Sequence, residues 1–375
     1  MGLSVGLPRM TEHPGERRDF LPRFVRALEG LGASAVALEE GYGSEMGLAP
    51  EDYLDGTDGT RFADRDACLD QDVVVVLRCP PEDALKRLRP GAILVSMLHY
   101  ATRPSRNELL GTLGVRAVSL DSVTDDRGRR MVENLELTAW SGVAEAFRQL
   151  ALGWGLFAVP GRPPIRVTLL GAGALGAHAV HAATRYGDHE LRDALHHAGV
   201  PGVEVAVVDH DLSWHEDYML QRLRVTDLLI DATLRRDPTV AVIPNAWLHV
   251  LPAHATLLDL AADPYDLTLR PPVIKGIEGI PQGSVERFVF EPDDPAWGDL
   301  GDAVDTTCRR CALSCNAWPG LRPRDSMKRY GEQVETVMEV VLGRPIDGWD
   351  RGGARHGERA VARGELGRWQ ARHGR

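Results

Sequence analysis

A run of apolar residues that ends in a glycine-rich turn limits the fold of this chain more than any other feature. Residues Ile165–Leu170 lead into Gly171-Ala172-Gly173-Ala174-Leu175-Gly176, and an alanine-rich helical pattern follows at once. In a G-x-G-x-x-G turn the first glycine permits the tight bend. The second lets the backbone approach a pyrophosphate, and the third lets the helix pack against the sheet. The flanking strand and helix favour a dinucleotide site over a glycine-rich turn in another α/β domain.

An acidic residue after the next predicted strand completes the nucleotide signal. Asp209 follows the apolar run Val203–Val208 and would bind the adenosine ribose hydroxyls, which favours NAD over NADP because a 2′-phosphate would be repelled there. The gap from the glycines is longer than the usual spacing of about 20 residues, and Asp188–Gly202 is interpreted as an inserted helix and turn. Asp211 is the alternative acid. The predicted cofactor-binding residues are Gly171, Gly173, Ala174, Leu175, Gly176 and Asp209.

Strand-like and helix-like patterns alternate on both sides of the glycine turn. The predicted strands before it are Leu3–Leu7, Ala35–Leu38, Asp72–Leu77, Ala92–Leu98 and Val115–Leu120, and those after it include Val203–Val208, Leu228–Ala232 and Ala255–Leu260. The longest helical pattern, Leu135–Phe157, separates the two sets. This order predicts an α/β protein with two doubly wound, Rossmann-like domains joined by a long connecting helix.

Bulk properties argue against several classes of function. With 375 residues the chain can form two domains, each with its own core. It contains no run of eighteen apolar residues and no signal-peptide pattern, so we expect no membrane association. Five cysteines favour a reducing cytoplasm over a disulfide framework, and a net charge of −11 speaks against nucleic acid as a partner. The arginine-rich stretch 344–375 is interpreted as a solvated tail or a marginal surface helix.

Candidate reactive groups follow the ends of predicted strands, where ligands collect in open α/β sheets. His99 follows one strand and suits proton transfer near neutral pH, with a structural histidine as the alternative. Arg17 and Arg78 suit bidentate binding of a substrate carboxylate. The alternatives are surface charge for Arg17 and an ion pair for Arg78.

Three cysteines, Cys308, Cys311 and Cys315, are spaced as C-x-x-C-x-x-x-C. A structural zinc site needs four ligands, and no second ligand pair lies nearby, so ordinary reduced thiols and no metal are predicted. Redox-active thiols remain an alternative, because the adjacent Arg309 and Arg310 would lower thiolate pKa values.

Several segments together resemble the alanine dehydrogenase/pyridine nucleotide transhydrogenase family, which also includes carboxyethylornithine synthases and lysine-forming saccharopine dehydrogenases. The matching segments are G-L-P-R-M-T-E-H-P-G-E-R-R (6–18), E-E-G-Y-G-S-E-M-G-L-A-P-E-D-Y (39–53), L-H-Y (98–100), D-L-A-A-D (259–263) and P-G-L-R-P-R-D-S (319–326). The resemblance extends over most of the chain, to about Gly343.

The resemblance implies a role for each candidate residue and a domain arrangement. Arg17 would hold the substrate carboxylate, His99 would be the catalytic acid/base, and Asp263 would face the nicotinamide and the substrate amine. Residues 1–134 with 303–343 would form a discontinuous catalytic domain and 135–302 the NAD-binding domain, followed by the tail 344–375. The active site would lie in the interdomain cleft, and the family implies a homo-oligomer.

Three departures from the family pattern affect the expected chemistry. Arg78 stands where the family has a lysine, and an arginine cannot carry a proton. The asparagine expected near the C-terminal motif is displaced to Asn316, and the D-Q-G-G segment is replaced by D-P-Y-D (263–266). These departures make simple conversion of pyruvate to alanine a less secure expectation than the fold.

The predicted activity is that of an NAD-dependent oxidoreductase acting on the C–N bond of an amino or imino acid. Its partners would be a small 2-oxo acid and an amine, ammonia included. Two guanidinium groups favour a substrate with a second acidic group, as in opine- or saccharopine-type secondary amines. The alternatives are a redox-neutral, NAD-retaining deaminase or cyclase and a non-catalytic nucleotide-sensing protein.

Overall fold

The computed structural model describes residues 2–10, 14–261, 264–345, 348–349 and 355–374. The chain divides into two compact units. Unit 1 comprises residues 1–134 and 322–375, and unit 2 comprises residues 135–321.

The strands in the described part of the chain are β1 (Ser4–Leu7), β2 (Ala35–Glu39), β3 (Thr60–Ala63), β4 (Val73–Arg78), β5 (Ile93–Met97), β6 (Arg116–Ser119), β7 (Ile165–Leu170), β8 (Val203–Val208), β9 (Leu228–Asp231), β10 (Thr256–Asp259), β11 (Val289–Phe290) and β12 (Cys311–Ser314). The α-helices there are α1 (Pro22–Gly30), α2 (Pro50–Leu54), α3 (Arg65–Leu69), α4 (Glu82–Leu85), α5 (Pro104–Thr112), α6 (Leu135–Gly153), α7 (Ala174–Ala183), α8 (His189–His197), α9 (His210–Ser213), α10 (Glu216–Leu223), α11 (Pro323–Gly343), α12 (His356–Gly364) and α13 (Leu366–His373).

Unit 1 is built on a six-stranded sheet in which all neighbouring strands are parallel. The strand order is β3-β2-β1-β4-β5-β6. The central strand β4 is a continuous apolar run from Val73 to Leu77, and every one of these side chains is buried. Such runs are typical of parallel strands that are covered on both faces. Helix α11 contributes Val334, Met338 and Val341 to the same core.

Unit 2 contains a second six-stranded sheet with the order β11-β12-β10-β9-β7-β8. All neighbours are parallel except β11, which runs antiparallel to β12. Strand β7 has β8 on one side and β9 on the other, so the strand order reverses at β7. In doubly wound sheets this reversal creates the crevice in which ligands bind. The prediction of two doubly wound α/β sheets is therefore confirmed.

The segment 303–321 belongs to unit 2, whereas the sequence analysis placed it with the first domain. Its strand β12 pairs with β10 in parallel, with Ala312 opposite Leu257 and Leu313 opposite Leu258. Both β12 residues are fully buried. The strand escaped prediction because it is only four residues long and lies among cysteines and arginines.

The prediction of a solvated tail is wrong for residues 355–374. Helices α12 and α13 contribute Val361, Leu366 and Trp369 to the core of unit 1. Two arginines of α12, Arg359 and Arg363, form ion pairs with Asp126. The helices were not predicted because their apolar residues are few. The arginines that dominate the composition indicate solvent exposure, but in the structure two of them form ion pairs.

None of the described helices combines the length and the apolar character that crossing a bilayer would require.

Candidate functional site

The glycine turn has the geometry that its three glycines predict. Gly171 has a φ of +95°, and a Cβ there would lie 2.9 Å from the Ala232 carbonyl oxygen. A Cβ on Gly176 would lie 2.1 Å from the Gly171 carbonyl oxygen, which explains the close approach of α7 to β7. Gly173 differs, because a Cβ there would meet no atom within 4 Å. The second glycine therefore leaves open space at the N-terminus of α7, where a phosphate would bind.

Asp209 directly follows β8 and lies next to the glycine turn. The Gly171 N–H donates a hydrogen bond to the Val208 carbonyl oxygen at 2.9 Å, which places the end of β8 beside the start of the turn. The Asp209 side chain is 59% exposed, with His210 Nδ1 3.8 Å from its carboxylate. The other His210 nitrogen lies 2.9 Å from the exposed Asp211. The strand-end position favours Asp209 as the ribose-binding acid, and this assignment stays a prediction.

In unit 1, His99 lies beside a buried carboxylate. The backbone N–H of His99 donates a hydrogen bond to Asp121 Oδ1 at 3.2 Å, and the ring nitrogen Nδ1 lies 3.5 Å from Asp121 Oδ2. The Ser119 hydroxyl donates to the same carboxylate at 2.6 Å and accepts the Leu98 N–H at 3.0 Å. This network joins the ends of β5 and β6, which are neighbouring parallel strands.

Asp121 and His99 differ in exposure and in charge. Asp121 is 8% exposed, whereas the His99 side chain is 51% exposed. Although burial opposes it, the hydrogen bonds from His99 and Ser119 hold the pKa of the Asp121 carboxyl well below its usual range. A fixed carboxylate at Nδ1 orients the ring and leaves Nε2 for proton transfer. The exposed ring also argues against a histidine that is merely part of a core.

The His99 backbone is in the left-handed region, with a φ of 52°. For a residue with a Cβ this conformation costs about 1–2 kcal/mol, and such strain concentrates at functional sites. Sequence reasoning missed Asp121, although the residue directly follows a predicted strand. Its relevance appears only once β5 and β6 are known to be neighbours.

Arg78 and the segment around Arg17 meet at a buried carboxylate, that of Glu16. Arg18 donates to both Glu16 oxygens, at 2.7 and 2.6 Å, and Arg78 Nη1 lies 3.5 Å from Oε2. Against the effect of burial, the two guanidinium groups lower the pKa of Glu16 to about 2. Arg78 thus forms an ion pair, which was one of the two interpretations of this residue. Arg17 is exposed, and its N–H donates to Glu16 at 3.2 Å.

Strand register places Arg78 near His99. Arg78 is opposite Met97 in the pairing of β4 with β5, and His99 follows two residues later. Both residues therefore lie at the carboxyl-terminal edge of the unit 1 sheet, as the sequence predicted.

Asp263 lies outside the described residues. The start of its motif is described, and there Asp259 is buried and accepts hydrogen bonds from Lys275 Nζ at 2.7 Å and Ser314 Oγ at 3.1 Å. Lys275 is 1% exposed. No sequence pattern indicates this lysine, because it lies in a proline-rich loop without apolar periodicity.

A second buried acid, Asp231, is opposite Asp259 in the pairing of β9 with β10. Its Oδ1 accepts hydrogen bonds from the N–H and the hydroxyl of Thr233 at 2.9 and 2.7 Å. Burial, together with the charge of Asp259, raises the pKa of Asp231 to about 6. Two buried carboxylates thus lie at adjacent strand ends, and Lys275 forms its ion pair with Asp259.

In the part of the chain that is described, no group of three or more His, Cys, Asp or Glu residues could hold a metal ion. Burial and the neighbouring Glu291 raise the pKa of the Cys311 thiol to about 12. Arg310 donates hydrogen bonds to the carbonyl oxygens of Leu251 and Pro252.

Two doubly wound sheets, one followed by a glycine turn and one with a histidine–carboxylate pair at its strand ends, define an α/β protein of the doubly wound class with two compact units. The model of the family described as "Alanine dehydrogenase/PNT, N-terminal domain" matches residues 6–144. Alanine dehydrogenase of Bacillus subtilis (strain 168) is 25% identical over 189 residues, which are 49% of this chain and 50% of that protein. NAD(P) transhydrogenase subunit alpha of Cereibacter sphaeroides is 28% identical over 193 residues, which are 49% of this chain and 36% of that protein.

Solved structures give the same result for the fold. An L-alanine dehydrogenase has a TM-score of 0.69 at 18% identity and covers 96% of this chain and 94% of its own. A transhydrogenase from Sinorhizobium meliloti has a TM-score of 0.61 at 16% identity, with coverage of 89% and 93%. The comparisons confirm the resemblance to the alanine dehydrogenase/pyridine nucleotide transhydrogenase family, and the family's N-terminal-domain model covers residues 6–144 of this chain. In sequence it spans about half the length, or less, of the curated relatives it matches.

The open space at Gly173 allows nucleotide binding to be tested apart from folding. Gly173→Ala should leave the free energy of unfolding unchanged, because its φ of −73° suits alanine and no atom is within reach of the new methyl group. The methyl should obstruct the pyrophosphate and weaken NADH binding at least about tenfold, or 1.4 kcal/mol. Fluorescence titration and urea denaturation measure the two quantities. Gly153→Ala, also in open space, is the matched control, and equal NADH affinity in both variants would refute the assignment.

The buried carboxyl of Asp231 should make stability depend on pH. Between about pH 4 and pH 6 the folded state holds a proton that the unfolded chain has released, so this contribution to stability falls as pH rises through that window. Asp231→Asn removes the titrating group. The variant should therefore gain on the order of 2 kcal/mol over the wild type between pH 4 and pH 7, measured by urea denaturation.

The matched control for this measurement is Asp217→Asn, an exposed substitution in the same unit. A stability difference between Asp231→Asn and the wild type that stays constant with pH would contradict the prediction.

Proposed function

We propose that this protein is an NAD-dependent oxidoreductase acting on the C–N bond of an amino or imino acid. The observation that carries the proposal is the exposed His99 ring held by buried Asp121 at the strand ends of unit 1. The relatives named alanine dehydrogenase support the same class of reaction. The finer proposal is that the product is a secondary amine of the opine or saccharopine type.

The residues of the glycine turn suit a dinucleotide. The space at Gly173 and the N-terminus of α7 would take the pyrophosphate, and Asp209 would take the adenosine ribose hydroxyls. The exposed carboxylate of Asp209 favours NAD over NADP. When bound, the cofactor supplies or accepts the hydride.

His99 would perform the proton transfers of the reaction. In the reductive direction a 2-oxo acid condenses with ammonia or an amine, and the carbinolamine must lose water to form an imine. His99 would donate the proton that lets hydroxide leave as water. Before this transfer Asp121 would stabilise the positive charge of the protonated ring, since its carboxylate lies 3.5 Å from Nδ1.

The arginines would bind and orient the substrate carboxylates. Arg17 is exposed and its guanidinium can form a bidentate pair with a carboxylate. Arg78 is held by Glu16 and keeps its positive charge at any physiological pH. Two such groups support a substrate with a second acidic group, which is the reason for preferring a secondary amine product. By the family pattern, Asp263 would face the substrate amine.

The reaction class is tested by following NADH and NADPH oxidation with a matrix of 2-oxo acids and amines, ammonia included. His99→Ala should lower kcat by about 10²–10⁴, the usual contribution of a general acid–base, without changing NADH affinity. His249→Ala, an exposed histidine of unit 2, is the matched control and should keep full activity. Undiminished turnover in His99→Ala would exclude the acid/base role. Saturable NADH binding without turnover on any substrate pair would instead favour a nucleotide-sensing protein.

Cofactor choice separates the two candidate acids after β8. Asp209→Ala should weaken NADH binding about tenfold and narrow the preference over NADPH, because the ribose hydroxyls lose their acceptor. Asp211→Ala should leave both affinities unchanged. Titration of each variant with NADH and NADPH measures the effect, and the opposite ranking would assign the role to Asp211.

A further inference from the structure

We propose that helices α12 and α13, called here the helix pair, are a positioning element for the His99–Asp121 pair. This inference rests on the proposed function of His99. The helix pair contacts the backbone on both sides of the histidine–carboxylate network, so its packing fixes where the ring is held.

The first contact is on the Asp121 side. Gly364, the last residue of α12, packs against the end of β6. A Cβ there would lie 3.1 Å from the Ser119 carbonyl oxygen and 2.8 Å from Val123 Cγ2. Glu365, the next residue, forms an antiparallel bridge with Val118 on the edge strand β6. Ser119 is the residue whose hydroxyl donates to Asp121, so the helix pair contacts this network directly.

The second contact is on the His99 side. The Trp369 ring of α13 packs on the Tyr100 ring, with centroids 5.3 Å apart. Tyr100 directly follows His99 and is 1% exposed, and its hydroxyl donates to the Ala117 carbonyl oxygen at 3.0 Å. Since the His99 backbone is in a left-handed conformation, its neighbours must hold it there. Tyr100 is the larger of the two residues that flank His99, and the Trp369 ring packs on it.

Charged contacts attach the helix pair to the same segment. Arg359 Nη2 lies 2.6 Å from Asp126 Oδ2, and Arg363 binds the other oxygen of that carboxylate. Arg363 also donates to the Thr124 carbonyl oxygen at 2.9 Å. The segment from Ser119 to Asp126, which carries Asp121, is thus contacted at several points by α12.

A positioning role differs from a purely stabilising one in how mutations combine. If the helix pair acts through Asp121, a variant of the pair should have little further effect once Asp121 is changed. A general loss of stability would act independently and add to the effect of Asp121→Asn.

The decisive variants are Gly364→Ala and Trp369→Ala, with Gly357→Ala as the matched control. A Cβ on Gly357 is 3.6 Å from the nearest atom, which is ordinary contact, although the residue lies in the same helix as Gly364. We expect kcat to fall about tenfold in the two variants, as for a misplaced catalytic group, with the NADH dissociation constant unchanged. Gly357→Ala should match the wild type. Combined with Asp121→Asn, neither variant should lower kcat further.

Trp369→Phe keeps an aromatic ring on Tyr100 and should recover most of the activity, which provides a test should Trp369→Ala fail to fold. Wild-type kcat in both Gly364→Ala and Trp369→Ala would overturn the proposal. Fully additive losses in the Asp121→Asn background would overturn it as well.

A spectroscopic measurement separates this proposal from the proposed function. The ring resonances of His99, assigned by their loss in His99→Ala, should shift in Gly364→Ala and stay in place in Gly357→Ala, whether or not the protein turns over a substrate. If the wild type is inactive on all substrates but the His99 resonances shift in Gly364→Ala, the proposed function is wrong and the coupling between the helix pair and His99 is kept. Unshifted resonances in an active Gly364→Ala enzyme would remove the coupling and keep the function.

Discussion

The parallel pairing of strands determines where most of the described candidate functional groups lie. In a parallel sheet all carboxyl ends meet at one edge, so residues far apart in sequence become neighbours once their strands pair. His99 and Asp121 follow β5 and β6, and Arg78 ends β4. In unit 2 the glycine turn and Asp209 follow β7 and β8 in the same way. Strand pairing, rather than any single loop, therefore brings the candidate functional groups of each unit together.

Buried charge in this protein is compensated locally. Glu16 is matched by the guanidinium groups of Arg18 and Arg78, and Asp259 by the ammonium group of Lys275. A buried carboxylate without such partners would be costly, and these arrangements hold the paired side chains in defined orientations. Asp231 differs from these two, because it lies opposite a second carboxylate, and its pKa rises to about 6. Asp231 therefore adds a pH dependence to the stability of the fold.

The sequence predicted those parts of the structure that depend on local patterns. The bounds of β8 and the glycine turn followed from an apolar run and glycine spacing, and the positions of His99 and Arg78 followed from strand ends. Asp121 and Lys275 could not be predicted, since the role of each depends on a partner more than ten residues away. The helix pair was missed for a different reason. An arginine-rich composition indicates solvent exposure. The ion-pair partner of Arg359 and Arg363, Asp126, lies more than two hundred residues upstream, so no local pattern shows the contact.

The ion pair between Glu16 and Arg78 has a consequence for how the protein responds to acidity. A guanidinium group stays protonated throughout the physiological range, and the pKa of Glu16 is lowered to about 2. The charge of this pair is therefore constant from mildly acidic to alkaline conditions. A carboxylate held next to Arg78 would experience the same attraction over that whole range. Any change in substrate affinity with pH would then report on the ligand or on the histidine nearby, and the arginine site would act as a fixed electrostatic reference.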